Sequence, residues 1–329
     1  MEIVYNNDNY NLSRRFPMRF LYFLEGLRHP VADAFFSAIT YLGDEICFMA
    51  LAVLLFWCIS KRRGYFLFAV GFFGIAANQV LKLLFRIPRP WVVDPNFSIV
   101  ESARAAATGY SFPSGHTQNI VGTMGVIAST TRYRWVRVIC IVLAILVPFS
   151  RMYLGVHTPL DVGVAFAIAI ALVVGLWFLF RDEVSFRCST PYVLGALVLC
   201  AALYLVFALC YPFPADVDAE NLAHGVKNAY VMLGCAAGLL VSFLYDRKVL
   251  NFDTRAPFLG QALKLVLGLA LLMGIRFGLS KLFALLGGYN YLHAVRYFLM
   301  VVFAGCIWPH TFPLFAKVGA RKEKTFIEK

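Results

Sequence analysis

Apolar residues are grouped along this chain in long blocks, separated by short polar segments. Most blocks have the length that a membrane-spanning helix needs, about 20 residues. The pattern predicts nine spans, although the first is short: about 45–60, 64–85, 114–131, 135–151, 158–180, 190–211, 229–246, 258–281 and 291–316.

Residues 14–42 precede these blocks and predict one or two amphipathic helices. Arg28-His29-Pro30 lies in the middle of the segment and argues against a simple span. We therefore expect helices that lie in the membrane interface, and a kinked tenth span is the alternative.

The composition also indicates a membrane protein. The chain has 329 residues, is 60% hydrophobic and only 15% charged, and has a mean hydropathy of +0.72. A soluble domain of this length would need more polar surface. We predict an all-α, polytopic membrane helical bundle. The eight cysteines are scattered, form no CxxC pair, and are expected to be small buried hydrophobic residues.

The net charge of +12 is compatible with a protein that binds nucleic acid. The distribution of the cations argues against that function, because they lie in short loops rather than on one polar face. Cations in such loops mark the cytoplasmic side of a membrane. One side carries Lys61-Arg62-Arg63, Arg132 to Arg137, Arg181 to Arg187, Arg247-Lys248 with Arg255, and Arg321-Lys322-Glu323-Lys324. The other side, which we predict to face outward, holds 86–113, 151–157, 212–228 and 282–290.

Three polar groups sit at this outward side. The first contains Lys82 and Arg86, which are four residues apart, so that one helical face could carry both. Pro88 and Pro90 then end the helix and hold Arg89 in an extended segment. Arginine offers a planar fork for phosphate oxygens, and lysine adds a point charge. An isolated cation here would instead be a snorkelling anchor.

The second group, Pro113-Ser114-Gly115-His116, opens the span 114–131. Ser114 is a natural N-cap, and Gly115 would let an anion approach the backbone amide closely. A helix N-terminus favours phosphate, and His116 lies on the first turn within reach of it. Plain helix capping beside a loop histidine is the alternative.

The third group joins Ser150-Arg151, at the end of one span, to His157 and Asp161 at the start of the next. His157 and Asp161 are four residues apart and stack on one helical face. The carboxylate could accept the N–H of one ring nitrogen and leave the other nitrogen free to attack. A structural His–Asp pair is the alternative. Together the three groups supply a nucleophile, its orienter, an acid and charge stabilisers, as phosphoryl transfer requires.

These residues resemble the three motifs of the type 2 phosphatidic acid phosphatase (PAP2) superfamily. The matching runs are Lys82-x6-Arg89-Pro90, Pro113-Ser114-Gly115-His116 and Ser150-Arg151-x5-His157-x3-Asp161, with every motif position filled. The resemblance covers residues 45–181, approximately. It implies a helical-bundle core and metal-independent hydrolysis of a phosphomonoester or a pyrophosphate.

The resemblance also implies roles for single residues. His157 would be the nucleophile that forms a phosphohistidine, and Asp161 would orient it. His116 would protonate the leaving group and then activate water. The phosphoryl oxygens would be held by Lys82, Arg89, Ser114, Gly115 and Arg151. Which histidine attacks rests on the resemblance, since the residues themselves favour His157 only through its Asp161 partner.

We therefore divide the chain into N-terminal interfacial helices (1–43), a PAP2-like catalytic membrane core (44–181) and additional transmembrane helices (182–329). The expected function is hydrolysis of a lipid phosphate or polyprenyl pyrophosphate at the outer membrane face, in a multi-pass protein of a bacterial cell membrane. A lipid phosphotransferase could use the same site. A non-catalytic lipid transporter or binding protein would leave the His157–Asp161 pair without a purpose.

We expect neither metal nor cofactor. The chain has no HExxH motif and no cysteine/histidine ligand set. Asp161 is the only acidic residue in the three motifs, so a two-metal phosphatase would lack its ligands.

Overall fold

The structure, a computed structural model, describes residues 17–215 and 217–319. Within these ranges the chain forms helices and helical turns and contains no strand, which confirms the predicted all-α class. The helices are α1 (17–25), α2 (Pro30–Thr40), α3 (Glu45–Leu54), α4 (Lys61–Phe85), α5 (Pro90–Val93), α6 (Gly115–Thr130), α7 (Arg134–Tyr153), α8 (Pro159–Phe180), α9 (Glu183–Cys210), α10 (Ala219–Tyr245), α11 (Phe258–Leu285), α12 (Tyr291–Val302) and α13 (Phe312–Lys317).

The predicted number of nine spans is not confirmed. In the described part of the chain, seven helical stretches are long and apolar enough to cross a membrane. An eighth results if Pro30–Gly43 and Glu45–Ile59, which meet at 51°, form one broken span. The predicted span 114–131 corresponds to α6, which has 16 residues. At 1.5 Å per residue it is about 24 Å long, shorter than the hydrocarbon core of a bilayer.

Helix α6 is held inside the bundle by packing against its neighbours, although it is too short to span the bilayer. It lies between α4, α7 and α8, and several of its polar side chains are buried there. The buried set comprises Ser114 at its N-cap with Thr117, Gln118 and Thr123. A short helix surrounded by other helices need not itself satisfy the thickness of the membrane, because protein replaces lipid at its ends.

One hydrophobic core joins the two halves of the chain. The aromatic side of α4, with Tyr65 and Phe66, packs against residues of α8, α9 and α10. Trp57 contacts Trp308 with ring centroids 6.3 Å apart and donates from Nε1 to the carbonyl oxygen of Ala304 at 2.9 Å. Helix α10 approaches α12 closely, because Gly234 has no side chain to keep the Ala294 backbone away.

The two ends of the bundle differ in chemistry. At one end, Lys61 pairs with Asp246 at 2.8 Å and Arg62 donates to the carbonyl oxygen of Phe180 at 3.2 Å. This is the end that carries the described basic loops; the predicted basic run 321–324 lies outside the described residues. The three polar motif groups lie at the opposite ends of the same helices.

The N-terminal helices pack at this motif end. Arg28 donates from Nε to the carbonyl oxygen of Tyr153 at 2.9 Å, and Glu25 accepts a hydrogen bond from the Ser98 backbone at 3.1 Å. Of the predicted interfacial segment 1–43, residues 1–16 lie outside the described residues. Its position in the membrane interface stays a prediction.

Candidate active site

The three motif groups converge in one buried cluster between α4, α6, α7 and α8. His157 lies in the short connection between α7 and α8 and is 2% exposed. Asp161 lies in the first turn of α8, Ser114 caps α6, and Arg151 belongs to the last turn of α7. Arg89 occupies the N-cap position of α5 in an extended conformation, and Pro90 is the first residue of that helix.

Arg89 is held almost entirely by backbone carbonyl groups. Its Nε donates to Gly109 at 3.0 Å, and its Nη2 donates to Thr108 at 2.7 Å. Its Nη1 donates both to the Val156 carbonyl oxygen at 3.0 Å and to Nε2 of His157 at 2.9 Å. Sequence reasoning assigned Arg89 to phosphate alone; in this structure it binds the loop and the histidine.

Asp161 has a second task that its spacing from His157 did not reveal. Its Oδ2 accepts from the Thr158 backbone N–H at 2.7 Å, while the Thr158 hydroxyl accepts from the Asp161 N–H at 3.3 Å. This reciprocal capping box fixes the start of α8. The same oxygen lies 3.5 Å from Nδ1 of His157, so the expected pair is present but long.

Ser111 connects this pair and was missed by sequence reasoning. Its hydroxyl donates to Oδ2 of Asp161 at 2.6 Å and lies 3.5 Å from Nδ1 of His157. The side chain is completely buried. Its place just before the second motif was the only signal in the sequence, and a serine in a polar loop gives no reason to single it out.

Arg151 and His116 have buried nitrogens that no described residue satisfies. Arg151 is 0% exposed, and its Nε and Nη2 have no hydrogen-bond partner in the described part of the chain. Nε2 of His116 likewise has no hydrogen-bond partner among the described residues. Buried polar nitrogens are costly unless a ligand satisfies them, and those of Arg151 can only donate, so the grouping favours an anion.

The N-terminus of α6 provides open space beside these groups. The Ser114 hydroxyl caps the helix by accepting from the Thr117 backbone N–H at 3.4 Å, and it also accepts from the Thr117 hydroxyl at 3.0 Å. The Ser114 backbone N–H donates to the carbonyl oxygen of Asp161 at 3.1 Å. A Cβ atom built on Gly115 would meet no described atom within 4 Å. A ligand could therefore approach the Gly115 amide directly.

Lys82 completes the cationic lining. Its Nζ donates to the carbonyl oxygen of Tyr110, and its ammonium group retains further donors. The polar loop 91–112 thus supplies the carbonyl groups that hold both Lys82 and Arg89.

The burial and charges of the cluster act on the protonation of His157. Burial lowers the pKa of His157 well below its usual 6.5, and the charges of Arg89, Arg151, Lys82 and His116 lower this pKa further. His157 is therefore neutral at physiological pH, which is the form that can act as a nucleophile.

No group of three or more histidine, cysteine, aspartate or glutamate side chains within 17–215 and 217–319 could hold a metal ion. The donors in the cluster are guanidinium, ammonium, amide and imidazole groups, and these suit an anionic phosphoryl group rather than a cation.

The comparisons with known proteins agree with this chemistry. The PAP2 superfamily profile matches residues 63–185, and a profile described as PAP2 superfamily phosphatase, transmembrane extension, matches residues 230–321. Together they cover more than half of the chain. The chain belongs to the PAP2 superfamily.

Relatives of this PAP2 protein include lipid phosphatases and diphosphatases. It is 24% identical to the probable sphingosine-1-phosphate phosphatase of Dictyostelium discoideum over 79% of this chain and 69% of the relative. It is 30% identical to undecaprenyl-diphosphatase BcrC of Bacillus subtilis over 48% of this chain and 81% of the relative. The crystal structure of Aquifex aeolicus LpxE matches with a TM-score of 0.43 and 26% identity, over 48% of this chain and 92% of that one.

This PAP2 chain spans only 64% of lipid phosphate phosphatase delta from Arabidopsis thaliana, to which it is 23% identical over 77% of its own length. The predicted enzyme class, a membrane phosphatase of lipid phosphates or pyrophosphates, is confirmed at the level of the superfamily. The substrate and the mechanism of this chain are proposals.

Proposed function

We propose that this protein is an integral membrane phosphatase that hydrolyses a lipid phosphate or pyrophosphate through a phosphohistidine on His157, at the outward face of the membrane. The observation that carries the proposal is the buried cluster in which a neutral His157 lies beside Arg151, whose Nε and Nη2 face no acceptor among the described residues. A nucleophile beside unsatisfied buried cations is suited to a phosphoryl group.

The first chemical step transfers the phosphoryl group to the enzyme. Arg151 and the amide of Gly115 bind the phosphoryl oxygens, and Nε2 of His157 attacks the phosphorus. The bond from phosphorus to the leaving oxygen breaks, and that oxygen takes a proton from His116. The leaving oxygen is the lipid oxygen of a monophosphate or the bridging oxygen of a pyrophosphate, which leaves with the lipid monophosphate. The negative charge of the bound group favours the protonated form of His116 before this transfer.

The second step releases phosphate. His116, now neutral, removes a proton from a water molecule, and the resulting nucleophile attacks the phosphorus of the phosphohistidine. The P–N bond breaks, inorganic phosphate leaves, and His157 recovers its free nitrogen. Arg89 stays hydrogen-bonded to the Val156 carbonyl oxygen in both steps. Its guanidinium therefore remains in place while Nε2 of His157 exchanges its hydrogen bond for the phosphoryl group.

The outward orientation is supported by the separation of charges along the bundle. The motif residues are at one end, and the described basic loops, which mark the cytoplasmic side of membrane proteins, are at the other. Hydrolysis at this face suits a substrate whose phosphate lies at the membrane surface and whose chains remain in the bilayer.

The test is phosphate release by the purified protein in detergent containing EDTA, from a phosphatidic acid, a phosphatidylglycerophosphate and a polyprenyl pyrophosphate. We expect EDTA-resistant release by the wild type and none by His157→Ala. His310→Ala is the matched control, because His310 contacts Tyr245 at the opposite end of the bundle. Unchanged release in His157→Ala, or loss of release in EDTA with recovery in Mg²⁺, would refute the mechanism.

A further inference from the structure

Thr40 contacts the buried arginine of the third motif from a distant part of the chain. Its hydroxyl accepts a hydrogen bond from Nη1 of Arg151 at 2.9 Å, and both side chains are buried. Thr40 is the last residue of α2 and lies outside the PAP2 match at 63–185. In the described part of the chain, this hydroxyl is the one hydrogen-bond partner of the Arg151 guanidinium.

The position of this hydrogen bond on the guanidinium determines what remains available. The group is planar, and Nε and Nη2 direct N–H bonds from the same edge, as a fork that fits two oxygens of a phosphoryl group. Thr40 binds the other terminal nitrogen, Nη1. The contact therefore fixes the plane of the guanidinium and leaves the fork open, with both of its nitrogens unpartnered among the described residues.

The turn that follows Thr40 reaches a second site residue. Gly43 packs so closely on His116 that a Cβ built on the glycine would lie 2.9 Å from the His116 carbonyl oxygen. The carbonyl oxygen of Gly43 accepts from Nδ2 of Asn119 at 3.3 Å. The bend between α2 and α3 is thus fixed against α6 and α7 at the residues of the proposed site.

We propose that Thr40 is a positioning residue: its hydroxyl holds the Arg151 guanidinium so that the Nε/Nη2 fork faces the phosphoryl group. The proposal rests on the proposed function of Arg151, and it makes the N-terminal bend part of a site whose motifs all lie further along the chain. A guanidinium without this contact could rotate within its cavity, and the orientation of the fork would be lost.

The test compares Thr40→Val, which keeps the shape and removes the hydroxyl, with Thr40→Ser, which keeps the hydroxyl. The probe is inorganic phosphate, measured as the concentration dependence of thermal stabilisation of the full-length protein, which requires no turnover. We expect Thr40→Val to bind phosphate about tenfold more weakly or worse, and Thr40→Ser to remain near the wild type. Phosphate release from the lipid should follow the same order.

Ser37→Ala is the matched control, since Ser37 lies one turn earlier on α2 and contacts Ser102 at 2.7 Å rather than a motif residue. Its phosphate affinity should equal that of the wild type. The absence of lipid hydrolysis in the wild type would refute the proposed function, while the phosphate-binding series would still report on Thr40.

Three results would overturn the positioning role. The first is a folded Thr40→Val with wild-type phosphate affinity, and the second is equal weakening in the valine and serine variants. The third is a wild type that phosphate does not stabilise. Thr40→Ala provides a second hydroxyl-free variant; failure of both Val and Ala to fold, with Ser folded, would assign the hydroxyl to stability and likewise overturn the role.

Discussion

Arg89 donates a hydrogen bond from Nη1 to Nε2 of His157 at 2.9 Å. A guanidinium can only donate, so Nε2 is the acceptor and the proton of the neutral ring lies on Nδ1. Nδ1 faces Ser111 and Asp161, each at 3.5 Å. The nitrogen with the free electron pair is consequently the one directed at Arg89, and in this arrangement a phosphoryl group must replace that hydrogen bond before attack.

Replacing Arg89 by lysine tests this arrangement. A lysine cannot reach the carbonyl groups of Thr108, Gly109 and Val156 together with His157, so the ring loses its fixed tautomer and the loop loses its attachment. We expect Arg89→Lys to lower kcat/KM about 100-fold and to lower the unfolding temperature. Steady-state kinetics and thermal unfolding measure the two effects. Wild-type kcat/KM in the lysine variant would mean that charge alone matters at this position.

The pH dependence of catalysis follows from the lowered pKa of His157. Burial and then the charges of Arg89, Arg151 and Lys82 favour the neutral ring. The nucleophile is therefore present at and above pH 6.5 and is lost by protonation only at lower pH. We expect the acidic limb of kcat/KM, which reports on the free enzyme, to have its midpoint below 6.5.

The variant Lys82→Met shows whether the acidic limb comes from His157 or from ionisation of the substrate. Removal of one neighbouring cation should raise the pKa of His157 and shift the limb to higher pH, while the substrate ionises as before. A wild-type midpoint at or above 6.5, or a limb that is unaffected by Lys82→Met, would contradict the assignment.

Ser111→Ala should reduce turnover through Asp161. The Ser111 hydroxyl donates to Oδ2 of Asp161 at 2.6 Å, so its loss leaves a buried carboxylate with one donor fewer and a less constrained His157. We expect about a tenfold lower kcat, with a smaller effect in an Asp161→Asn background because the two residues act on the same ring. A double-mutant cycle measures this coupling. Fully additive effects would show that Ser111 acts independently of the carboxylate.

Two glycine substitutions should separate binding from folding. At Gly115 a Cβ would project into open space, whereas at Gly43 it would meet the His116 backbone at 2.9 Å. We expect Gly115→Ala to keep the unfolding temperature and to weaken phosphate binding, since the methyl group occupies the approach to the amide. Gly43→Ala should lower both the unfolding temperature and kcat. Wild-type phosphate affinity in Gly115→Ala would remove this amide from the anion site.

The local features of the site could be predicted from sequence because they depend on neighbouring residues. Ser114 as the cap of α6 and the extended backbone at Arg89 follow from rules that operate over a few positions. The spacing of His157 and Asp161 put them on one face, and their distance of 3.5 Å agrees with that spacing.

The number of spans could not be predicted in the same way. The apolar block 114–131 is predicted as a span, yet the helix α6 that it forms has 16 residues and is enclosed by neighbouring helices. Burial by protein and burial by lipid select similar residues, so the sequence pattern does not distinguish them.

The sequence by itself determined the all-α membrane class, the ends of most helices and the three groups of chemically active side chains. Only the tertiary structure decided which partners those side chains have: backbone carbonyls of a loop for Arg89, the Ser111 hydroxyl for Asp161 and Thr40 for Arg151. Thr40 and Arg151 are 111 positions apart. No local periodicity relates such positions, because their contact arises from the way α2 packs against α7 once the bundle has formed.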